Sequence, residues 1–297
     1  MNTLKNLSRI MRVPFLALTP ACVLLGLGVA IWTTGSVNWL HFGLALVGAV
    51  CAHISVNAFN EYFDFKSGLD LRTQPTPFSG GSGALRESPE MARPALVTAW
   101  TAFAITALTG LYFASLRGPA ILLPGLLGLF LLIAYTPWLT RNPLLCLLAP
   151  GLGFGPLMVM STAFALTGIY SLTALVASLV PFFLVSDLLL LNQFPDVEAD
   201  RGVGRRHFPV LIGRKTSSLI YGAFLAAAYL AIILGVAFRL LPGFCLLGLL
   251  GALIAVPAGI QAFRYAEDIG RLVPWMGMNV LLNLATPLLV GLGLFIK

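Results

Sequence analysis

Charge is what this sequence has least of. Asp, Glu, Lys and Arg make up 10% of its 297 residues, against about 25% in an ordinary soluble domain. Hydrophobic residues make up 58%, and the mean hydropathy is +0.92. That balance excludes a disordered chain and a water-soluble domain with a polar shell, and it makes lipid the solvent. Cysteine and histidine are also scarce. Cys22, Cys51, Cys146 and Cys245 each sit in an apolar run, and no C-x-x-C or His/Cys cluster exists. Neither a disulfide framework nor a zinc site is expected. Acids number 11 against 18 bases, a net charge of +7. In a soluble protein this excess would suggest nucleic acid; here the bases are distributed as loop charges of a membrane protein, and no nucleic-acid partner is expected.

What the chain does have is long apolar runs. With about 20 residues needed to cross a bilayer, the sequence predicts nine spans near 14–33, 40–60, 95–115, 119–139, 143–167, 172–194, 216–237, 241–261 and 273–295. The first run follows Lys5, Arg9 and Arg12 but exceeds the roughly 7–15 residues of a signal-peptide core, so it reads as a retained span. The expected fold is all-α: one polytopic membrane domain over 1–297, a nine-helix bundle of two four-span halves plus a ninth helix.

Nine spans place fifteen of the eighteen Lys and Arg residues on the N-terminal side, leaving only Arg117, Arg239 and Lys297 opposite. The positive-inside rule then makes the N-terminal side cytoplasmic and puts the C-terminus on the other side. All the acids but Asp187 fall on that cytoplasmic side too. Two cytoplasmic segments, about 61–94 and 195–215, are long enough to carry function, so a central cavity is expected to open there.

The second span ends His53-Ile-Ser-Val-Asn57-Ala-Phe-Asn60-Glu61-Tyr-Phe-Asp64-Phe-Lys66-Ser-Gly68-Leu-Asp70. At 100° per residue His53, Asn57, Asn60/Glu61 and Asp64 share one stripe of an otherwise apolar helix. Polar groups at membrane depth are costly and face a partner or a cavity. The sixth span ends Asn192-Gln-Phe-Pro-Asp196-Val-Glu-Ala-Asp200-Arg201. Both contain Asn-x-x-x-Asp with a further Asp beyond, four spans apart. Hard carboxylate oxygens suit Mg²⁺, which bridges one or two carboxylates to substrate phosphates. Lys66, Arg72, Arg201, Arg205 and Arg206 would add direct cationic contacts.

These residues resemble the UbiA superfamily of intramembrane prenyltransferases, over nearly the whole chain. Phe78-Ser-Gly80-Gly81-Ser82-Gly83 is similar to the branch that includes the 1,4-dihydroxy-2-naphthoate prenyltransferases of menaquinone synthesis. The resemblance implies transfer of a prenyl group from its diphosphate to an aromatic acceptor at the membrane. It implies two Mg²⁺ ions held by Asp64, Asp70, Asp196 and Asp200, with Asn60 and Asn192 supporting metal or diphosphate and Lys66 and Arg72 on the phosphates. It also implies that Tyr135 stabilises cationic charge near the reacting carbon. The first motif spaces its acids by six rather than the commoner four, and Arg206-His207 stands where the family often has Lys-Arg-Thr.

Other readings remain open at this stage. His53 either positions a phenolic acceptor or is a hydrogen-bonded packing residue. Asp187, nine residues before Asp196, is either an acceptor-side acid or the partner of another helix. The Phe78–Gly83 run lacks the lysine and strand context of a phosphate loop and reads as a lid. The acceptor could instead be 4-hydroxybenzoate, a lipid glycerol phosphate or a haem, and a cation-coupled transporter is the alternative of another class.

Overall fold

Caps and breakers decide where each apolar run starts and stops. The computed structural model describes residues 2–296, and among these all regular structure is helical. A short amphipathic helix, α1 (Asn2–Ile10), precedes α2 (Leu18–Thr34); Arg12 takes a left-handed backbone, φ 52°, at the corner between them. The Asn38 side chain accepts from the Leu40 and His41 amides to start α3 (Trp39–Ser67), and Gly68 closes it at φ 75°, a conformation a Cβ would oppose. The one-turn α4 (Ala84–Glu87) leads to α5 (Ala92–Arg117), which is followed by α6 (Leu122–Ala134). Asn142 caps α7 (Pro143–Leu152), which continues through a π-helical stretch, Gly153–Met160, into α8 (Ser161–Thr167). Pro150 and Pro156 lie inside this span; each removes a backbone donor, and the wider turns accommodate the loss.

The second half contains α9 (Leu172–Asn192), the short α10 (Val197–Gly202) and α11 (Phe208–Ile212), and α12 (Arg214–Ala237). A 3-10 stretch, Gly243–Gly251, runs into α13 (Ala252–Arg264), and α14 (Ile269–Phe295) follows.

Among the described residues eight helical runs are long and apolar enough to cross a membrane. The run expected over 119–139 is shorter: the apolar helix covers Pro119–Ala134, about 24 Å at 1.5 Å per residue against a core of about 30 Å. Pro137 disfavours helical backbone at the residue before it. Residues 135–138 form turns and Leu139–Arg141 a 3-10 segment, which brings Tyr135 and Thr140 to the wall of the central cavity. The opposite correction applies to α3. It continues to Ser67, past the span end expected near 60, so the stripe from His53 to Asp64 lies on one unbroken helix. Lys297, counted on the far side, lies outside the described residues.

Packing relies on small residues, as expected where lipid removes the hydrophobic drive between helices. In the first half α3 packs along α5, and in the second α9 along α12, while α14 closes against α2. A Cβ on Gly155 would stand 2.5 Å from the Ser178 carbonyl oxygen, so the π-helical stretch and α9 touch backbone to backbone. With 67% of its apolar window buried, α9 is the most enclosed span, and it carries the second acidic motif.

Candidate active site

A cavity of about 600 Å³ opens where α3 and α9 end and runs inward between the helices. His53, Asn57, Asn60 and Asp64 of α3 all line it, together with Asp70, Asn192, Asp196 and Asp200. The two motifs therefore face one another across a single space.

The anchoring of each polar group differs. His53 Nδ1 lies 2.8 Å from Thr19 Oγ1, and its ring stands edge-on to Phe154. Asn57 donates to the Met11 carbonyl at 3.0 Å. The Asn60 amide donates to Asp64 Oδ2 and to Thr136 Oγ1, each at 3.1 Å, while its oxygen accepts from Arg12. Arg205 is the hub. One of its amino groups is ion-paired with Asp64 Oδ1, and the other lies 2.9 Å from Asp200 Oδ1. His207 Nε2 stands 2.7 Å from the second oxygen of Asp200. Both Asp200 oxygens are thus occupied by Arg205 and His207. Burial works against the Arg205 charge, but Asp64 and Asp200 outweigh it and raise the guanidinium pKa.

Asp70 and Asp196 are left open. Asp70 follows Gly68 in the turn Leu69–Leu71, and its Oδ2 is buried without a hydrogen-bond partner. Asp196 Oδ2 accepts from the Gly80 amide at 3.1 Å, while Oδ1 has no partner. Burial, reinforced by Glu61 and Asp64, pushes the Asp70 carboxyl up to about 7. Burial and Asp200 push Asp196 up to about 7, against the pull of the Gly80 amide. Asn192 Oδ1 is a third buried acceptor without a donor.

Such a set suits a hard cation. Among the described residues no three His, Cys, Asp or Glu side chains converge into a cage. Mg²⁺ does not need one, because it keeps waters and takes one or two carboxylates plus substrate phosphates. Open oxygens on Asp70, Asp196 and Asn192 around one cavity fit that demand.

The Gly80–Ser82 stretch spans the mouth. Glu61, 1% exposed, accepts from the Ser82 amide at 2.9 Å and from Ser82 Oγ at 2.7 Å, and it is salt-bridged to Arg12 at 2.8 Å. Arg9 donates to the Ser82 carbonyl and pairs with Glu87 at 2.5 Å. The loop is fastened to α1, α3 and, through Gly80, the second motif.

Four basic residues expected on the phosphates, Lys66, Arg72, Arg201 and the exposed Arg206, do not reach the cavity. Lys66 is exposed and stands 5.9 Å from the Tyr62 ring centre. Arg72 donates to the Gly202 carbonyl, and Arg201 pairs with Glu198. The α3 face that carries Lys66 points away from the polar stripe, and Arg72 and Arg201 reach across the outer rim. The cations on the cavity wall are Arg12 and Arg205. In the sequence Arg12 reads only as a charge flanking the first span; the signal for its role is an arginine two residues before Pro14 at the entry to that span. Glu61, expected on the polar stripe, does not line the cavity but holds Arg12 and Ser82, whereas His207, which had no expected role, does line it.

Tyr135 lines the cavity, with its hydroxyl 3.9 Å from Cys146 Sγ, which in turn accepts from Gln193 at 3.2 Å. Asp187 faces elsewhere: Leu188, Leu189, Asn192 and Gln193 line the cavity but Asp187 does not. It is fully buried, with no hydrogen-bond partner on either oxygen.

The UbiA prenyltransferase family signature matches residues 19–281. A 1,4-dihydroxy-2-naphthoate octaprenyltransferase of Bacillus subtilis (strain 168) is 29% identical over 220 residues, 71% of this chain and 67% of that protein. The protein of the same description from Mycobacterium tuberculosis (strain ATCC 25618 / H37Rv) is 28% identical over 241 residues, covering 80% of this chain and 79% of its own. In fold, a UbiA homolog from Aeropyrum pernix K1 superposes with a TM-score of 0.70 at 21% identity over 94% of this chain and 97% of that one. A UbiA homolog from Archaeoglobus fulgidus bound to GPP and Mg²⁺ gives 0.62 at 15% identity, covering 96% and 99%.

Proposed function

The chain belongs to the UbiA prenyltransferase family, and from that premise we propose that it transfers a polyprenyl chain from its diphosphate to 1,4-dihydroxy-2-naphthoate, using Mg²⁺. The observation that carries this reading is the cavity itself. One continuous space joins a mouth of open carboxylates and two guanidinium groups to a long apolar groove, the two surfaces that an allylic diphosphate presents. The acceptor follows from the two naphthoate-transferring relatives.

Asp70, Asp196 and Asn192 would hold the cation through their open oxygens. Asp64, now paired with Arg205 and Asn60, would add a further carboxylate if Arg205 turned to a phosphate oxygen. Bound there, Mg²⁺ supplies positive charge that offsets the diphosphate and favours its departure. The chain's own groups do the rest. Arg205 and Arg12 offer fixed donors to the departing oxygens in a site of low polarity, where such contacts count most. The Tyr135 ring faces the space just inside the mouth and offers its electron-rich face to developing positive charge. Apolar walls exclude the water that would otherwise capture the allylic cation. The ring carbon of the acceptor then attacks that cation, and the ring regains aromaticity by losing what that carbon carries, a proton to water at the mouth or, at the carboxylated carbon, CO2; His53 and Asn57, on the wall, would contact the acceptor's hydroxyls. Supported by the count of basic residues, we also infer that the N-terminus and this mouth face the cytoplasm.

The test is direct. Purified protein with Mg²⁺, octaprenyl diphosphate and 1,4-dihydroxy-2-naphthoate should release pyrophosphate and yield by mass spectrometry an octaprenyl adduct of the naphthoate, with its carboxyl group retained or released as CO2. Chelation of the metal should stop both. Product with another acceptor but none with the naphthoate would overturn the acceptor, and no pyrophosphate release with any prenyl diphosphate would overturn the mechanism.

A further inference from the structure

Glycine inside a helix costs roughly 0.5–1 kcal/mol relative to alanine, so each one in a span needs a reason. For several the reason is close packing. A Cβ on Gly26 would meet the Val159 carbonyl at 2.8 Å, and one on Gly155 would meet α9 at 2.5 Å. Gly110 on α5 and Gly125 on α6 have no such neighbour: nothing stands within 4 Å of where their Cβ would be. Both line the cavity. What their missing side chains keep free is the cavity's own volume.

Their place along the cavity gives that volume a use. The wall follows α3 from Asp64 at the mouth to Ala45, about 28 Å at 1.5 Å per residue. Gly48 packs against Thr109, so Gly110 stands near the inner end, about 24 Å from Asp64 on the same count, and Gly125 lies in the first turn of α6, just past the short connection from the end of α5. At that end Ala45, Phe113, Ile121 and Ala165 close the groove with a buried floor, and its opening is lateral. Leu111, Leu122 and Leu126 line it and yet are 58%, 37% and 64% exposed, which opens it to lipid between α5 and α6. Each isoprene unit adds four chain carbons, roughly 5 Å when extended. A tail of two or three units therefore ends inside the groove, and a tail of eight must pass the two glycines and continue into the bilayer. At the other end of the same space wait the unpartnered oxygens of Asp70 and Asp196, which fix where the diphosphate begins the count.

We propose that Gly110 and Gly125 determine the prenyl chain lengths this protein accepts, by leaving the lipid-facing end of the groove clear of side chains. The proposal rests on the prenyltransferase reading above, which supplies the diphosphate at the mouth. It makes the length limit a matter of obstruction at one level rather than of total cavity volume.

Competition between geranyl and octaprenyl diphosphate for the purified protein, with Mg²⁺ and 1,4-dihydroxy-2-naphthoate, gives a product ratio by mass spectrometry. Gly110→Phe and Gly125→Phe should each lower the octaprenyl-to-geranyl ratio at least about tenfold, the scale of an overpacked apolar site. Leucine at the same positions should give an intermediate shift, and it replaces phenylalanine if those variants fail to accumulate in membranes. Gly43→Phe and Gly222→Phe are the controls. Neither glycine lines the cavity, and both have equally open surroundings, so the ratio should not move. An unchanged ratio in Gly110 and Gly125 variants that still convert geranyl diphosphate overturns the proposal. Equilibrium binding of the two diphosphates without acceptor reads the same groove. A wild-type protein that binds both but makes no naphthoate product would sink the acceptor assignment and leave the chain-length test standing on binding alone.

Discussion

At the end of α3 the chain stays helical through Asp64 and turns only at Gly68, whereas α9 stops at Asn192 and delivers Asp196 from a turn behind Pro195. The two segments carry the same Asn-x-x-x-Asp text. On the first, the helical i, i+4 spacing sets Asn60 against Asp64 at 3.1 Å, and the carboxylate is already claimed by Arg205. On the second, Asn192 and Asp196 each keep an oxygen without a donor. Proline makes the difference: it forces the backbone out of the helix before the acid is reached. The lesson is that a repeated motif fixes which side chains meet at a site, while local backbone decides which of them is bound internally and which is free for a ligand.

Substitutions that equalise the two motifs test this contrast. The largest effect should come from the free side. Asp196→Ala should lower turnover at least about 100-fold, the scale of losing one preorganised electrostatic partner, with membrane insertion intact, and Asp64→Ala should likewise abolish turnover. Near-normal pyrophosphate release in both variants would rule out the cation assignment. Next is the bound side. Arg205→Gln strands Asp64 and Asp200, both buried, and breaking a buried pair from one partner costs about 3–5 kcal/mol. A fall in the thermal midpoint in detergent should show this, and Asp64→Asn in the same chain should recover part of it. Glu61→Gln comes third. It weakens the contacts to Arg12 and Ser82 and should cost about 1–3 kcal/mol, read as faster proteolysis within residues 73–83. Its counterpart beside the second motif, exposed Glu198, should tolerate the same change. The smallest effect belongs to Lys66→Ala and Arg72→Ala. Both residues are exposed, so turnover should stay within about threefold and stability within about 0.5 kcal/mol. A loss approaching that of Asp196→Ala would show that the rim closes onto the diphosphate.

The spans and the facing motifs were legible because each rests on a local rule: about 20 apolar residues for a crossing, and 100° per residue for the stripe from His53 to Asp64. What the sequence hid depends on distance along the chain. The pairing of Arg205 with Asp64 joins residues 141 positions apart, and that of Arg12 with Glu61 spans 49, so no spacing rule could assign either. Lys66 looked like a phosphate ligand because it is two residues from Asp64; two residues on a helix turn a side chain by 200°. The short sixth helix was legible in principle, since Pro137 marks its end, but hydropathy alone carried the count past it. The chain-length glycines were unreadable for a related reason. Gly110 and Gly155 are the same letter in similar apolar text, and only the presence or absence of a facing backbone separates them.

The hold of Arg9 on Glu87 and the Ser82 carbonyl also bears on how the protein is made. These partners are 78 and 73 residues apart. At about 5–20 residues per second, the ribosome adds the later partner several seconds after the earlier one. Two hydrophobic stretches have by then emerged and can enter the bilayer, while the opening helix has nothing to dock on. The mouth of the site is therefore assembled backwards, its first-made piece among the later ones to settle.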